Sequence, residues 1–287
     1  MNYQELSLSA HAAQAEALSE ALESLGALSV SLQDANDIPI YEPKPQTHPL
    51  WDDIIITALF AHDADFSMIK AAITSHHNGI IINEALVEDQ NWVEKSLNDF
   101  KPIAISKNLW ICPSWHELEV DATILHLNPG LAFGTGEHPT TQMILRYLAE
   151  HPPHHTVVDF GCGSGILAIT ASLFGAEQVY AIDIDEQALV ATYSNAQLNH
   201  KEKHITICLP EDLPLLQADQ LLANIFLTPL IELRENFLRL LKAQGEILIS
   251  GVLQSQVHQL MNAYINDFDL SVIDEQSEWL LVRGIKK

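Results

Sequence analysis

An apolar strand that runs through three alternating glycines straight into an apolar helix start, V-V-D-F-G-C-G-S-G-I-L at residues 157–167, narrows the possible folds of this chain more than any other stretch. Gly161, Gly163 and Gly165 let the backbone turn sharply and let a ligand come close, because no Cβ stands in the way of either. Strand, glycine loop and helix in that order predict an α/β unit with a nucleotide-class cofactor on the loop. The spacing is G-x-G-x-G. A dinucleotide fingerprint would carry glycine at 166, where Ile166 stands, so a nicotinamide dinucleotide fits less well.

Two carboxylates sharpen the reading. Residues 179–182 form a short apolar run ending in Asp183, whose carboxylate can accept both hydroxyls of an unphosphorylated ribose. Asp159, just ahead of the first glycine, would repel a phosphate but suits the ammonium end of a methionine-like group. An ordinary strand-to-helix turn would explain the glycines alone. The two aspartates together favour S-adenosylmethionine over any phosphorylated nucleotide.

At 287 residues, with 47% hydrophobic and 18% charged side chains, the chain has the composition of a globular protein of about two domains. No basic leader precedes an apolar run at the start, and no stretch reaches the roughly 18 to 20 apolar residues of a membrane span, so a soluble cytoplasmic protein is expected. Cys112, Cys162 and Cys208 are odd in number and far apart, which argues against a disulfide framework. The histidines lack ligand spacing, and no metal site is expected. The formal net charge is −24, and the first 100 residues carry 16 acidic against 3 basic side chains. Such a field steers cationic partners and repels nucleic acid phosphate, although a solubilising surface would give the same numbers.

Residues 1–92 read as a small α+β domain of the split-βαβ, ferredoxin-like kind. Leu6 and Leu8 alternate as in a strand; Leu18, Leu22 and Leu25 mark a helix face, with Ser9 as its cap and Gly26 as its stop. Strands follow at Leu28, Val30 and Leu32, at 54–61, and from Gly79, with Phe66, Ile69 and Ile73 striping a second helix between the last two. Residues 93–120 read as a connector, whose Trp110 and Trp115 are expected to pack between domains. From 121 to 287 the pattern becomes doubly wound α/β: strands near 156–160, 178–183, 204–209, 219–224 and 245–250, then a hairpin at 268–273 and 279–284. Five parallel strands plus a hairpin predict a seven-stranded Rossmann-like sheet of the class I methyltransferase type.

Two further motifs carry chemistry. The run at 221–223 delivers Asn224 to the carboxyl edge of the sheet, where its amide oxygen could accept a hydrogen bond from an amine and aim its lone pair; closing the strand turn is the plainer role. The segment N-P-G-L-A-F-G-T-G-E-H-P-T-T at 128–141 lacks the G-K-[ST] of an ATP loop. Phe133 could cover a sulfonium face-on, Thr135 or Thr141 could hydrogen-bond a methionine carboxylate, and His138 could brace the loop.

With these residues in view, the chain closely resembles the bacterial methyltransferases that modify large-subunit ribosomal protein eleven. The resemblance rests on 128–141, D-F-G-C-G-S-G-I-L-A-I at 159–169, A-I-D-I-D at 181–185, N-I-F-L-T-P-L at 224–230 and L-W-I-C-P-S-W at 109–115, and runs weakly through the first domain in I-P-I-Y-E-P-K-P at 38–45. It implies a first domain that recognises the ribosomal protein and a catalytic domain that uses S-adenosylmethionine to methylate lysine side chains and the N-terminal α-amino group. It places the cofactor on Thr141, Gly161, Asp183 and Asn224, beside Phe133, Thr135 and Gly163 from the reading above. Glu137 and Phe226 depart from the family's usual small residue and leucine. A monomer is expected, with no nucleic acid or membrane partner. A nucleic acid base methyltransferase would share the cofactor loop but not the acidic charge, and a non-catalytic adenosine-binding module would not need Asn224.

Overall fold

Apolar side chains at every second position must share one face of an extended chain, and two such runs build the first sheet. The computed structural model describes residues 2–36, 38–41, 47–76, 81–87, 100–128, 134–153 and 155–287. Its chain divides into two compact units, Met1–Lys95 and Ser96–Lys287.

The first unit runs β1 (Tyr3–His11), α1 (Ala15–Ser24), β2 (Ser29–Asp34), β3 (Asp53–Ala61), α2 (Phe66–His76), β4 (Ile81–Val87). The strands lie in the order β2-β3-β1-β4, every neighbour antiparallel. Leu6, Leu8, Ile54, Ile56, Ala58 and Phe60 point to one face, and Leu18 and Leu22 of α1 with Phe66, Ile69 and Ile73 of α2 complete the core. Ser9 does not cap α1. It sits inside β1, opposite Ile55 and Ile81, because the ladder continues to His11. His11 takes the capping role, its Nδ1 accepting from the Ala13 N–H ahead of a single tight turn. Gly26 does end the helix, its N–H donating to the Glu23 carbonyl. Gly79, expected to open the last strand, lies outside the described residues.

The second unit opens with a small sheet: β5 (Ile103–Ser106) antiparallel to β6 (Leu109–Cys112), which runs parallel to β7 (Thr123–His126). The stretch read as a connector therefore contains two strands, β5 and β6, with Leu109 and Ile111 fully buried, while Trp115 is 40% exposed. Helix α3 (Pro139–Glu150) follows, then β8 (Thr156–Phe160), α4 (Ile166–Leu173), β9 (Gln178–Ile182), α5 (Glu186–Leu198), β10 (Ile205–Cys208) and β11 (Ala218–Asn224). The chain ends in α6 (Leu227–Glu232), α7 (Arg234–Leu240), β12 (Leu241–Leu253), α8 (Val257–Tyr264), β13 (Phe268–Gln276) and β14 (Trp279–Lys286). The large sheet has the order β10-β9-β8-β11-β12-β14-β13. Its first five strands are parallel, and β14 returns antiparallel between β12 and β13.

Parallel strands are covered on both faces and read as continuous apolar runs, which is why 157–158 and 221–223 are wholly buried. Helix α4 is buried from Ile166 to Ser172, whereas Tyr264 of α8 satisfies its hydroxyl on the Leu230 carbonyl at 2.6 Å. At the amino end of the sheet Glu246 of β12 gathers Tyr147 of α3 (2.8 Å), Gln220 of β11 (2.6 Å) and Arg283 of β14. Burial and this carboxylate push the Tyr147 phenol up to about 12. The strand order reverses between β8 and β11, so a crevice opens at their carboxyl ends, where ligands of open α/β sheets bind.

Candidate functional site

The chain leaves β8 through Gly161, Gly163 and Gly165, all with left-handed φ, of +78°, +54° and +79°. A side chain at two of them has no room: a Cβ on Gly161 would come within 2.5 Å of Ile225 Cγ2, and one on Gly165 within 2.7 Å of Thr192 Cγ2. The loop is pinned from beneath, its Gly161 and Cys162 N–H groups donating to the Ile182 carbonyl at 2.8 and 3.0 Å. Thr192 of α5 donates to the Gly163 carbonyl at 3.0 Å. Burial, and then the Asp159 charge, push the Cys162 thiol up, so thiolate chemistry is not available at neutral pH.

Asp159 and Asp183 stand on either side of this loop. Asp183 Oδ2 accepts from the Gly163 N–H at 2.9 Å and its Oδ1 from the Asp185 N–H at 3.1 Å, which fixes the carboxylate and leaves lone pairs for a diol. Asp159 is fully buried, with Oδ2 accepting from the Ala168 N–H at 2.9 Å and Oδ1 without a partner among the described residues. Burial raises its carboxyl to about 7, helped by the Asp183 charge and opposed by the Ala168 bond. A buried carboxylate oxygen without a donor fits an ammonium group, and the fixed Asp183 fits a ribose, so the residues present suit the S-adenosylmethionine expected from the sequence.

Asn224 ends β11 at the same edge. Its Nδ2 donates to Thr141 Oγ1 at 3.1 Å, a bond that leaves the amide oxygen as acceptor. The structure thus brings together Asn224 and Thr141, and separately Gly163 and Asp183. Thr141 is 4% exposed on the first turn of α3, where His138 caps the helix through Nδ1 and packs edge-on to Trp279 with ring centroids 5.0 Å apart. Desolvation lowers the His138 pKa, and bracing is its visible role. Thr135 directs its hydroxyl to Glu137 at 3.5 Å, and Phe133 lies outside the described residues. Sequence reading missed Thr192, Ser164 and Asn195. These are buried polar groups that hold the loop's carbonyls or the facing loop, and α5 has no apolar stripe against which such residues would stand out.

A parallel sheet of this order, with a glycine loop and acidic strand ends at its reversal point, defines a mixed α/β protein of methyltransferase-like fold. Residues 2–287 match the family described as "Ribosomal protein L11 methyltransferase (PrmA)". The chain is 41% identical over 280 residues to the "Ribosomal protein L11 methyltransferase" of Actinobacillus pleuropneumoniae serotype 7 (strain AP76), with 96% of each chain covered. It is 42% identical over a 294-residue alignment to that of Aliivibrio fischeri (strain MJ11), with 100% of each covered. The crystal structure of a ribosomal protein L11 methylase from Lactobacillus delbrueckii subsp. bulgaricus is similar at 31% identity and a TM-score of 0.60, covering 66% of this chain and 100% of that one. The chain belongs to the ribosomal protein L11 methyltransferase family, and membership implies S-adenosylmethionine as the methyl donor.

Proposed function

We propose that this chain is an S-adenosylmethionine-dependent protein N-methyltransferase that modifies lysine side chains and the N-terminal α-amino group of ribosomal protein L11. The observation that carries the reading is Asn224 at the carboxyl end of β11, its amide held by Thr141 beside the glycine loop. Asp159 would hold the cofactor's ammonium, Asp183 its ribose, and Gly161 and Gly163 would let it lie against the backbone; Thr135, Thr141 and Phe133 would close over its methionine end. When bound, S-adenosylmethionine supplies a methyl group made electrophilic by its sulfonium.

The remaining work falls to the chain itself. Asn224 Oδ1 accepts a hydrogen bond from the incoming amine and aims its lone pair, and Thr141 fixes which end of the amide faces it. Only the neutral amine offers a lone pair, and free lysine, with a pKa near 10.4, is rarely neutral at pH 7, so the rate should climb as pH rises above 7. Strand orders in both units support a seven-stranded Rossmann-like class I core behind a split-βαβ, ferredoxin-like domain. Residues 1–92 recognise the ribosomal protein and 121–287 carry the chemistry, with β5 and β6, in the stretch expected to connect them (93–120), opening the second unit. The acidic charge suits a lysine-bearing substrate and disfavours direct nucleic acid contact. A cytoplasmic monomer accords with this role. Incubation with labelled S-adenosylmethionine and intact L11, read by peptide mass, should place methyl groups on lysines and the α-amine. Label confined to nucleic acid or absent from L11 would contradict the reading.

A further inference from the structure

Two asparagines one turn apart, Asn195 within α5 and Asn199 at its C-terminal cap, are 4% and 8% exposed, and both spend their amides on backbone. Asn199 accepts from the His126 N–H at 2.9 Å and donates to the His126 carbonyl at 2.7 Å, tying the helix to β7. Asn195 joins different partners. Its Nδ2 donates to the Ser164 carbonyl in the glycine loop at 2.9 Å, and its Oδ1 accepts from the Asn128 N–H, at the head of the second glycine-rich motif, at 3.3 Å. Ser164 makes the return connection: its hydroxyl donates to the Gly134 carbonyl at 2.6 Å. The approach is so close that a Cβ on Gly134 would stand 2.9 Å from Ser164 Oγ. Beyond Gly134 the segment stays tethered, since Gln142 of α3 donates to the Gly136 and Glu137 carbonyls at 3.2 Å each.

We infer that Asn195 and Ser164 are positioning residues that tie the glycine loop to Asn128 and Gly134 and so preassemble this part of the cofactor cradle. This rests on the reading of 161–165 as the cofactor loop. Neither residue reaches a reacting atom. Each acts through backbone carbonyls and N–H groups that would otherwise be ordered only when the cofactor binds, at a cost in affinity.

The test is calorimetric binding of S-adenosylmethionine to the full chain, with cofactor KM and kcat measured alongside. Wild type should bind, and Asp183→Ala should bind more weakly; failure of either overturns the cofactor reading and this inference with it. Asn195→Ala should raise Kd and cofactor KM about ten-fold, because a preorganised loop becomes one ordered on binding, while kcat at saturating cofactor stays within about two-fold. Asn199→Ala is the control, a buried asparagine at the cap of the same helix that does not touch the glycine loop: its melting temperature should fall comparably, but Kd should stay within about two-fold. Should Asn195→Ala not fold, Ser164→Ala decides, with an expected rise of about five-fold in Kd, and in a folded double variant the two effects should not multiply. Wild-type affinity in both Asn195→Ala and Ser164→Ala, or an equal loss in Asn199→Ala, would overturn the lock.

Discussion

Asp159 has no exposed surface, and its carboxyl is raised to about 7, first by burial. A folded pKa above the ordinary value of 3.8 means that the fold favours the protonated form, so this group's contribution to stability is present at low pH and lost as pH rises from the ordinary range through about 7. Without cofactor, stability should therefore fall across that window relative to Asp159→Asn, by thermal melts at matched pH. Cofactor affinity should rise over the same window, because a bound ammonium requires the ionised form. A pH-independent difference between the two proteins would remove Asp159 from this role. Asp183→Ala, at a half-buried edge, opens no core cavity and should leave the fold intact while weakening cofactor binding about ten-fold or more, since each charge-assisted bond is worth roughly 1.5 to 3 kcal/mol. Unchanged affinity by calorimetry would contradict it. Asp159, Asp183 and Asn224 were legible because each stands where an apolar strand ends in one polar side chain. Ser164, Thr192 and Asn195 were not, because a buried polar residue bonded to distant backbone leaves no periodic trace.

At the scale of elements, the turn from β8 into α4 needs a left-handed residue at its last position, and Thr192 packs against it. Gly165→Ala should therefore cost about 1 to 3 kcal/mol of stability and weaken cofactor binding with it, checked by denaturant titration and calorimetry. A neutral effect on both would mean that the loop relaxes freely. Glu246 tests a different tie. Replacing it with Leu strands Tyr147, Gln220 and partly exposed Arg283, and should cost about 2 kcal/mol with cofactor affinity nearly unchanged, because the cluster lies at the amino end of the sheet. The parallel strands were legible as short continuous apolar runs, and 156–160 was placed to the residue. The sheet at 103–126 was not: its strands are four residues long, and the β6–β7 pairing joins segments across a loop that carries no periodic signal. Ser9 misled because cap preference is local, while the β1 ladder is set by strands more than forty residues away.

The whole molecule joins a strongly acidic first unit to a second unit that holds every residue of the proposed cofactor and acceptor site. A chain beginning near residue 96, once shown folded by circular dichroism, should bind S-adenosylmethionine yet lose methylation of intact L11. Added salt should slow the full chain on L11, because at about 0.15 M ionic strength exposed charges are felt only over roughly 8 Å. A folded truncation as fast as the full chain would move substrate recognition into the second unit. The composition made the charge asymmetry visible, but not the surface it serves, since net charge has no address in the fold. Single-turnover methylation of intact L11 by wild type and Asn224→Ala, each saturated with S-adenosylmethionine far above its own measured Kd, tests the central claim most directly. The account predicts transfer to L11 amines by the wild type and a rate about a hundred-fold lower in the variant, with a much smaller change in cofactor affinity. Equal rates, or a loss explained wholly by cofactor affinity, would contradict the assignment of Asn224 as the group that orients the acceptor.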